Sequence, residues 1–260
     1  MLKKITKKEM TIQLPSEYKE RPMAPELDLV SRIHGRFKGS GLVMPASQSK
    51  IYRNITKFFV EDVKKYRGFP KQIHRPFVVD VGCGIGIGTN ILSQEAQFAW
   101  GVDTNEESIN YATQMFERLP NNIYYTPQVT FDVINVMDEA RGLREFDYVV
   151  CIEVIEHIPS KDADSLLTFL NRFVKKDKGG KIIEDDSRTK IFLSSPNRNA
   201  PNIKKDTPLN EHHCYEATAG EMYEYLTQRY KYVTVLDEDM VPQEFDTQKT
   251  PLIYKLEIPL

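Results

Sequence analysis

Val78-Val-Asp-Val-Gly-Cys-Gly-Ile-Gly-Ile-Gly88 is the stretch of sequence that decides the fold. The apolar, β-branched run Phe77–Val81 is typical of a parallel strand that is buried on both faces. Glycines at 82, 84, 86 and 88 come directly after it, and glycines at such a place let the backbone turn tightly and approach a ligand. The dinucleotide pattern G-x-G-x-x-G does not fit, because its third glycine would fall on Ile87 or on Thr89. A NAD-dependent oxidoreductase is therefore the least favoured kind of enzyme.

A second acidic residue follows a second predicted strand. Phe98–Asp103 reads as another buried strand that ends in a carboxylate, 23 positions after Asp80. A carboxylate at the tip of the second strand of a βαβ unit can accept both hydroxyls of a ribose. The alternative is that Asp103 merely caps the helix that begins at Asn105.

The rest of the chain alternates predicted strands and helices up to a final pair of strands. Helical spacing of apolar residues predicts a helix over 47–66, and Thr218-Ala-Gly-Glu221 has the form of a capping box that opens another. The last two strands have no helix between them and should be antiparallel. The order indicates an α/β fold with a doubly wound, mostly parallel sheet, an antiparallel terminal hairpin and an N-terminal helical extension. The predicted strands are 77–82, 98–103, 129–135, 146–153, 190–195, 232–236 and 252–258, and the other predicted helices are 88–96, 105–118, 161–175 and 218–229, with a small hairpin turning at 185–187.

Length and composition limit the kind of protein. At 260 residues the chain is long enough for one α/β domain. A formal net charge of −2 argues against a protein built chiefly to grip nucleic acid. The three cysteines form neither a metal pattern nor a disulfide framework, and no apolar stretch is long enough for a membrane span. We expect a cytoplasmic protein with no membrane partner.

The N-terminal segment, residues 1–45, differs in character from the rest of the chain. Pro15, Pro22 and Pro25 interrupt it, and three glycines come after them. We expect an irregular segment that closes over the acceptor side as a lid, since lids of this kind commonly close active sites. Residues 46–260 would then form the main domain.

The glycine stretch, read as D-x-G-x-G-x-G, resembles motif I of the class I S-adenosylmethionine (SAM) methyltransferases. The resemblance covers roughly residues 47–258 and implies a Rossmann-like sheet of seven strands in the order 3-2-1-4-5-7-6. It also implies SAM as cofactor, with the glycine turn against its amino-acid and ribose parts, an acid on the ribose, the end of strand 3 at the adenine and the end of strand 4 at the methionyl group. The residues it assigns to cofactor binding are Asp80, Gly82, Cys83, Gly84, Gly86, Asp103, Thr104, Asn135, Val136, Ile152 and Glu153.

A second resemblance lies after the fourth predicted strand, at the sheet edge where ligands bind in open α/β folds. Glu153-x-x-Glu156-His157 is similar to a segment of the ubiquinone-biosynthesis O-methyltransferases and of the small-RNA 3′-terminal 2′-O-methyltransferases. The RNA family adds a histidine from a later loop, and His213-Cys-Tyr-Glu-Ala-Thr218 resembles that segment. The resemblance implies a divalent cation, Mg²⁺ or Mn²⁺, on Glu153, Glu156, His157 and His213, a donor set that suits such ions. The alternative is a metal-free loop in which Glu156 and His157 make hydrogen bonds.

These resemblances predict a SAM-dependent methyltransferase that methylates a hydroxyl of a small molecule or sugar. His157 or His213 would be the catalytic base or would orient the hydroxyl. Two alternatives stay open. One is an RNA ribose 2′-O-methyltransferase, with nucleic acid as a possible but less favoured partner. The other is a non-catalytic SAM-binding subunit of a partner enzyme.

Overall fold

The computed structural model describes residues 11–23, 44–66, 75–117, 128–135, 144–185, 187–201, 206–208 and 210–260, with the side chains of 63–66 excepted. Five helices and seven strands lie within these ranges. The helices are α1 (Ala46–Tyr66), α2 (Ile87–Leu92), α3 (Glu106–Phe116), α4 (Ala163–Asn171) and α5 (Ala219–Thr227). The strands are β1 (Phe77–Val81), β2 (Phe98–Asp103), β3 (Gln128–Val133), β4 (Tyr148–Cys151), β5 (Lys190–Ser195), β6 (Tyr230–Leu236) and β7 (Leu252–Pro259).

The seven strands form one sheet in the order β3-β2-β1-β4-β5-β7-β6, as the resemblance implied. Strands β1 to β5 pair in parallel, and β7 runs antiparallel to both β5 and β6. The carboxyl ends of β1, β2 and β4 therefore lie at the same edge of the sheet. That edge carries the glycine turn, Asp103 and the segment after β4.

Both faces of the sheet are covered by apolar side chains that alternate along each strand. On β4, Val149 and Cys151 face the layer that includes α4 and α5, whereas Tyr148 and Val150 face the layer that includes α1. Helix α1 contributes Ile51, Ile55 and Phe59 at intervals of four, all fully buried. Fully burying such a side chain contributes about 1.5–3 kcal/mol, so this stripe holds the helix on the sheet.

Two helix starts are explained by their sequences. The Asn105 side chain accepts the N–H of Ser108 at 2.8 Å and so caps α3. Thr218 and Glu221 form the predicted capping box at the start of α5, each side chain accepting the other's backbone N–H.

The helix ends and one hairpin differ from the predictions. Helices α2 and α4 end at Leu92 and Asn171, where tighter turns take over; after α2, Gln94 donates its N–H to the carbonyl of Ile91. The short hairpin before β5 turns at 177–180 and not at 185–187: Lys176 and Ile182 form an antiparallel bridge around that turn. The Asp177 side chain accepts two backbone N–H groups there, which stabilises the turn.

No helix within the described ranges is long and apolar enough to cross a membrane. The described part of the N-terminal segment, 11–23, contains no helix or strand and lies against the main domain, with Ile12 and Tyr18 in its core. The rest of the predicted lid falls outside the described residues, so its closure over the acceptor stays a prediction.

Candidate active site

The turn after β1 has the backbone conformation that its glycines predict. Gly82, Gly84 and Gly86 have φ values of 72°, 52° and 80°, a region that strains other residues. A Cβ on Gly82 would come within 2.4 Å of a Val154 methyl, so this glycine allows the turn to pack against the segment after β4. A Cβ on Gly84 would meet no atom of the described residues within 4 Å. The backbone at Gly84 is therefore open to a ligand.

Asp103 lies at the tip of β2 beside this turn. Its carboxylate accepts the N–H of Gly84 at 2.8 Å and the N–H of Asn105 at 2.9 Å. The helix cap is Asn105 rather than Asp103, so the alternative role for this acid does not hold. Asp103 is half-buried at the edge of the sheet that carries the glycine turn.

Asp80 lies behind the glycine turn and not at its surface. Its carboxylate is completely buried and accepts hydrogen bonds from the hydroxyls of Tyr52, at 3.1 Å, and Thr89, at 2.7 Å. Burial raises the pKa of Asp80 to about 7, against the opposing effect of these two hydrogen bonds. Asp80 can therefore act on a cofactor only through the turn that it supports.

The other predicted cofactor residues lie around the same edge. Cys83 and Ile152 are buried, Thr104 is half-buried, and Asn135 is exposed just beyond the end of β3. Val136 lies outside the described residues.

Glu153, directly after β4, has an unusual backbone conformation that is held by β5. Its φ of 57° is uncommon for a residue with a side chain. The Ser194 hydroxyl accepts the N–H of Glu153 at 2.8 Å and donates to its carboxylate at 2.7 Å. Burial raises the pKa of Glu153. The contact with Ser194 stabilises a conformation that costs of order 1–3 kcal/mol elsewhere.

Glu156 is a buried acid whose carboxyl oxygens have no hydrogen-bond partner among the described residues. It lies in a short 3-10 turn, Ile155–His157, and its exposed fraction is 0%. Burial raises its pKa well above the usual range, and the nearby Glu153 adds to this effect. An unpaired buried carboxylate is costly, so a site of this kind requires an explanation.

Two histidines present ring nitrogens next to Glu156. Nδ1 of His157 lies 3.1 Å from the carbonyl oxygen of His212, and Nδ1 of His213 lies 2.8 Å from the Glu216 carboxylate. Since both partners accept, each Nδ1 is the ring nitrogen that donates, and Nε2 of His213 in turn lies 3.0 Å from the amide nitrogen of Asn210. Burial, together with His213, lowers the pKa of His157 to about 4, so its ring is neutral near pH 7.

Glu156, His157 and His213 offer ligand atoms that all lie within 4.8 Å of one another. Nε2 of His213 is 4.0 Å from a carboxylate oxygen of Glu156, which is too long for a hydrogen bond. Two ligands of one ion, with bonds of about 2.1 Å, can lie up to about 4.2 Å apart. Three of the four predicted metal ligands are thus brought together. Glu153 does not join this group, because its carboxylate contacts Ser194.

Sequence reasoning missed several residues that support this group. Ser194, Glu216 and Asn210 each contact a predicted site residue, the last through its amide nitrogen, 3.0 Å from Nε2 of His213. Glu216 stands three residues after His213 in the quoted segment, so its place in the motif was a usable signal. Ser194 and Asn210 have no comparable signal, because their contacts join residues that are distant in sequence or depend on a loop conformation.

Comparison with known proteins assigns the chain to a family. Residues 50–234 match the family described as "Methyltransferase domain". The ubiquinone biosynthesis O-methyltransferase of Coxiella burnetii is 31% identical over 122 residues, which is 47% of this chain and 44% of the relative. The corresponding protein of Haemophilus ducreyi is 33% identical over 82 residues, 32% of this chain and 34% of the relative. The matches thus span less than half the length of these curated relatives.

Solved structures share the fold at low sequence identity. The methyltransferase domain of bacterial CtHen1-CN superposes with a TM-score of 0.54 at 17% identity, over 80% of this chain and 99% of that one. The plantazolicin methyltransferase BpumL gives a TM-score of 0.56 at 13% identity, over 90% of each chain. With the strand order and the glycine turn, the match over residues 50–234 places this chain in the methyltransferase domain family, with the class I SAM-dependent methyltransferase fold that its motifs predicted.

Proposed function

We propose that the protein transfers a methyl group from SAM to a hydroxyl of a small molecule or sugar, with a divalent cation, Mg²⁺ or Mn²⁺, held by Glu156, His157 and His213. The family supports the cofactor, and the O-methyltransferase relatives support an oxygen acceptor. Glu153 would lie between this group and the cofactor, at the carboxyl end of β4, where Ser194 holds its carboxylate.

The observation that carries the proposal is the buried carboxylate of Glu156, which faces two imidazole rings. A cation between these groups would neutralise the carboxylate and bind Nε2 of both rings, and at His213 it would replace the contact with the Asn210 amide. Each ring donates its Nδ1–H to a carbonyl or carboxylate oxygen, which fixes the orientation of the ring. Metal-binding histidines usually have such a contact. The donor set and its supporting contacts therefore fit a divalent cation.

A bound cation would hold the acceptor hydroxyl and lower its pKa. The chain's own residues would do the rest. The glycine turn and Asp103 fix the cofactor, and the backbone at Glu153 sets the distance from the methyl group to the site, so that acceleration comes mainly from positioning. With a cation on its Nε2, His157 would only orient the hydroxyl through the ion. Without a cation, the same nitrogen would take the hydroxyl proton, since the lowered pKa of His157 leaves it unprotonated near pH 7.

The RNA ribose remains a second candidate acceptor, favoured by one observation. His213 reaches the Glu156–His157 turn, as the resemblance to the small-RNA 2′-O-methyltransferases implied. A three-ligand site leaves room for two acceptor oxygens, as a catalytic site requires, and a terminal ribose presents two adjacent hydroxyls. Assays with catechols, free sugars and a short RNA ending in a 2′,3′-diol would separate the two. Salt-sensitive binding and methylation of the RNA alone would replace the small-molecule acceptor.

Thermal unfolding with and without Mn²⁺ tests the cation site. We expect Mn²⁺ to raise the melting temperature of the wild-type protein, because a ligand of the folded state stabilises it by mass action. Glu156→Gln should melt close to wild type without metal, since the raised pKa of Glu156 favours a neutral carboxyl group and the amide is neutral too. The variant should no longer respond to Mn²⁺, because an amide cannot supply the negative charge of a carboxylate ligand. Loss of the Mn²⁺ response in a variant that still folds is the result expected for a metal ligand.

His213→Asn and His212→Asn form a matched pair for the same experiment. Only the first should lose the Mn²⁺ response, because His212 contributes its backbone carbonyl to the site. A chelator should abolish methyl transfer reversibly. Full activity after chelation would leave His157 as the base of a metal-free site, and SAM binding without turnover of any acceptor would favour the non-catalytic subunit.

A further inference from the structure

The short segment Tyr18–Arg21 touches both loops that carry the site. The Tyr18 hydroxyl accepts the N–H of Glu216 at 2.8 Å, and the Glu216 carboxylate in turn holds Nδ1 of His213. The N–H of Arg21 donates to the carbonyl of Cys214, also at 2.8 Å. Its guanidinium donates to the carbonyl of Asn210, again at 2.8 Å. Tyr18 and Arg21 thus contact the His213 loop on both sides of the histidine.

The residue between them reaches the other loop. The Glu20 carboxylate accepts the N–H and the hydroxyl of Ser160, three residues after His157. The two loops also meet directly, since the N–H of Cys214 donates to the carbonyl of Glu156 at 2.7 Å. One continuous piece of chain therefore contacts the His213 loop and the segment that comes after the Glu156–His157 turn.

The segment is anchored in the domain and is not a loosely attached tail. The exposed fractions of Ile12 and Tyr18 are 3% and 8%, and both belong to the main core cluster. The guanidinium of Arg198, itself buried, lies 4.8 Å from the centre of the Tyr18 ring. This anchoring gives Tyr18–Arg21 a fixed position from which to hold the loops.

We propose that Tyr18–Arg21 acts as a strap that holds His213 in position against Glu156 and His157, and so sets the affinity of the cation site. The effect on cation affinity rests on the proposed function, whereas the contacts of the strap do not. Tyr18, Glu20 and Arg21 are positioning residues, because their side chains act through Glu216, Ser160 and Asn210 and offer no ligand atom to the site, whereas the Lys19 side chain takes no part. Contacts of this outer kind typically change metal affinity by about 10–100-fold.

The charge of Arg21 makes the proposal testable against simple electrostatics. Removing a positive charge near a cation site should tighten cation binding if charge alone matters. A strap predicts the opposite, because Arg21→Ala frees the Asn210 carbonyl and loosens the His213 loop. Lys19→Ala is the matched control, because it removes the same positive charge from an exposed residue two positions before Arg21. The Lys19 side chain has no hydrogen-bond partner in the described part of the chain.

Two measurements on the full chain test the strap. Calorimetry with Mn²⁺ should give about ten-fold weaker binding for Tyr18→Phe and for Arg21→Ala, and wild-type binding for Lys19→Ala. Hydrogen exchange of the Cys214 amide, which bonds to Glu156, should speed up in the first two variants and not in the control. Binding of S-adenosylhomocysteine (SAH) should be equal in all of them, which shows that the cofactor edge is intact.

The two proposals fail in different ways. Wild-type protein that binds no Mn²⁺ would overturn the cation site, and the exchange of the Cys214 amide would then decide the strap by itself. Unchanged exchange in Tyr18→Phe and Arg21→Ala would overturn the strap, as would tighter Mn²⁺ binding by Arg21→Ala.

Discussion

Asp103 is a residue whose structural and binding roles can be separated by substitution. Its carboxylate accepts the N–H of Gly84, and in the proposed function it would also accept a ribose hydroxyl of the cofactor. We expect Asp103→Ala to weaken SAH binding by about 1.5–3 kcal/mol, the range for losing hydrogen bonds to a charged group. Isothermal calorimetry measures this directly.

The control is Glu106→Gln, which removes an exposed charge in the first turn of the helix after β2. It should leave SAH affinity nearly unchanged, because a screened surface charge contributes little. Equal losses in both variants would mean that the charge of Asp103, rather than its hydrogen bonds, matters to the cofactor.

Asp80 should make the stability of the cofactor-free protein depend on pH. Its pKa of about 7 in the folded protein lies above the ordinary value of 3.8, so the folded state keeps a proton that the unfolded chain has released. Its contribution to stability is therefore present below about pH 4 and is lost as the pH rises towards 7, at up to about 1.4 kcal/mol per pH unit.

Asp80→Asn tests this assignment by removing the titrating proton at nearly constant shape. Urea unfolding at pH 5 and at pH 7 should show a larger fall in the free energy of unfolding for wild type than for the variant. The amide can still accept from Thr89 and donate to Tyr52, so the variant should fold. Parallel pH profiles would mean that Asp80 is already ionised at pH 5.

For single residues, the sequence predicts which side chains belong to the site better than it predicts which side chains touch each other. Glu156 and His213 could be selected because their types and places in two motifs resemble those of known families. The bond between Ser194 and Glu153 could not, because it joins the ends of neighbouring strands and depends on the positive φ of Glu153. A pattern along one strand carries no information about which residue of the next strand lies opposite.

At the scale of elements, the contact between β4 and β5 sets the geometry of the site. Ser194 is fully buried and satisfies both the N–H and the carboxylate of Glu153. We expect Ser194→Ala to destabilise the protein by about 1–3 kcal/mol, because it leaves buried polar groups unpaired. Methyl transfer should fall as well, since the turn after β4 loses its support.

Ser195→Ala is the matched control on the same strand. Ser195 is equally buried, but its hydroxyl donates only to the carbonyl of the adjacent Pro196 at 3.2 Å. Denaturant unfolding should therefore show a smaller loss for this variant than for Ser194→Ala. Equal losses would assign the effect to the cavity and not to Glu153.

The elements themselves were largely predictable, and their ends were not. Strands β1 and β2 are explained by continuous apolar runs, and the start of α5 by its capping box. The end of α2 depends on local competition, since the Ser93 hydroxyl donates to the carbonyl of Asn90 at 2.7 Å. Burial within a helix also depends on partners beyond the helix end: Tyr225 of α5 is buried, and the Arg229 guanidinium lies over its ring, 3.8 Å from the centre.

At the scale of the whole molecule, a buried ion pair fastens α1 to the sheet. Asp62 of α1 accepts from Nζ of Lys190 at 2.6 Å and from the Tyr148 hydroxyl at 2.7 Å. The side chains of Asp62 and Lys190 are 10% and 7% exposed. The same helix carries Tyr52, which bonds to Asp80 behind the glycine turn. Helix α1 is therefore fastened at two places, at the start of β5 through Asp62 and behind the glycine turn through Tyr52.

Asp62→Ala should destabilise the protein by about 3–5 kcal/mol, the usual cost of removing one partner from a buried pair. Most of this cost is the charge left on Lys190 in a poorly solvated place, and not the lost attraction. The double variant Asp62→Leu with Lys190→Met should therefore regain most of the stability, because it removes both charges and keeps the apolar volume. Glu184→Ala, which breaks the exposed pair with Lys231, should cost far less than Asp62→Ala, because solvent screens both charges. If the double variant is no more stable than Asp62→Ala in urea unfolding, then α1 is fastened by the specific geometry of the ion pair rather than by burial of its apolar face.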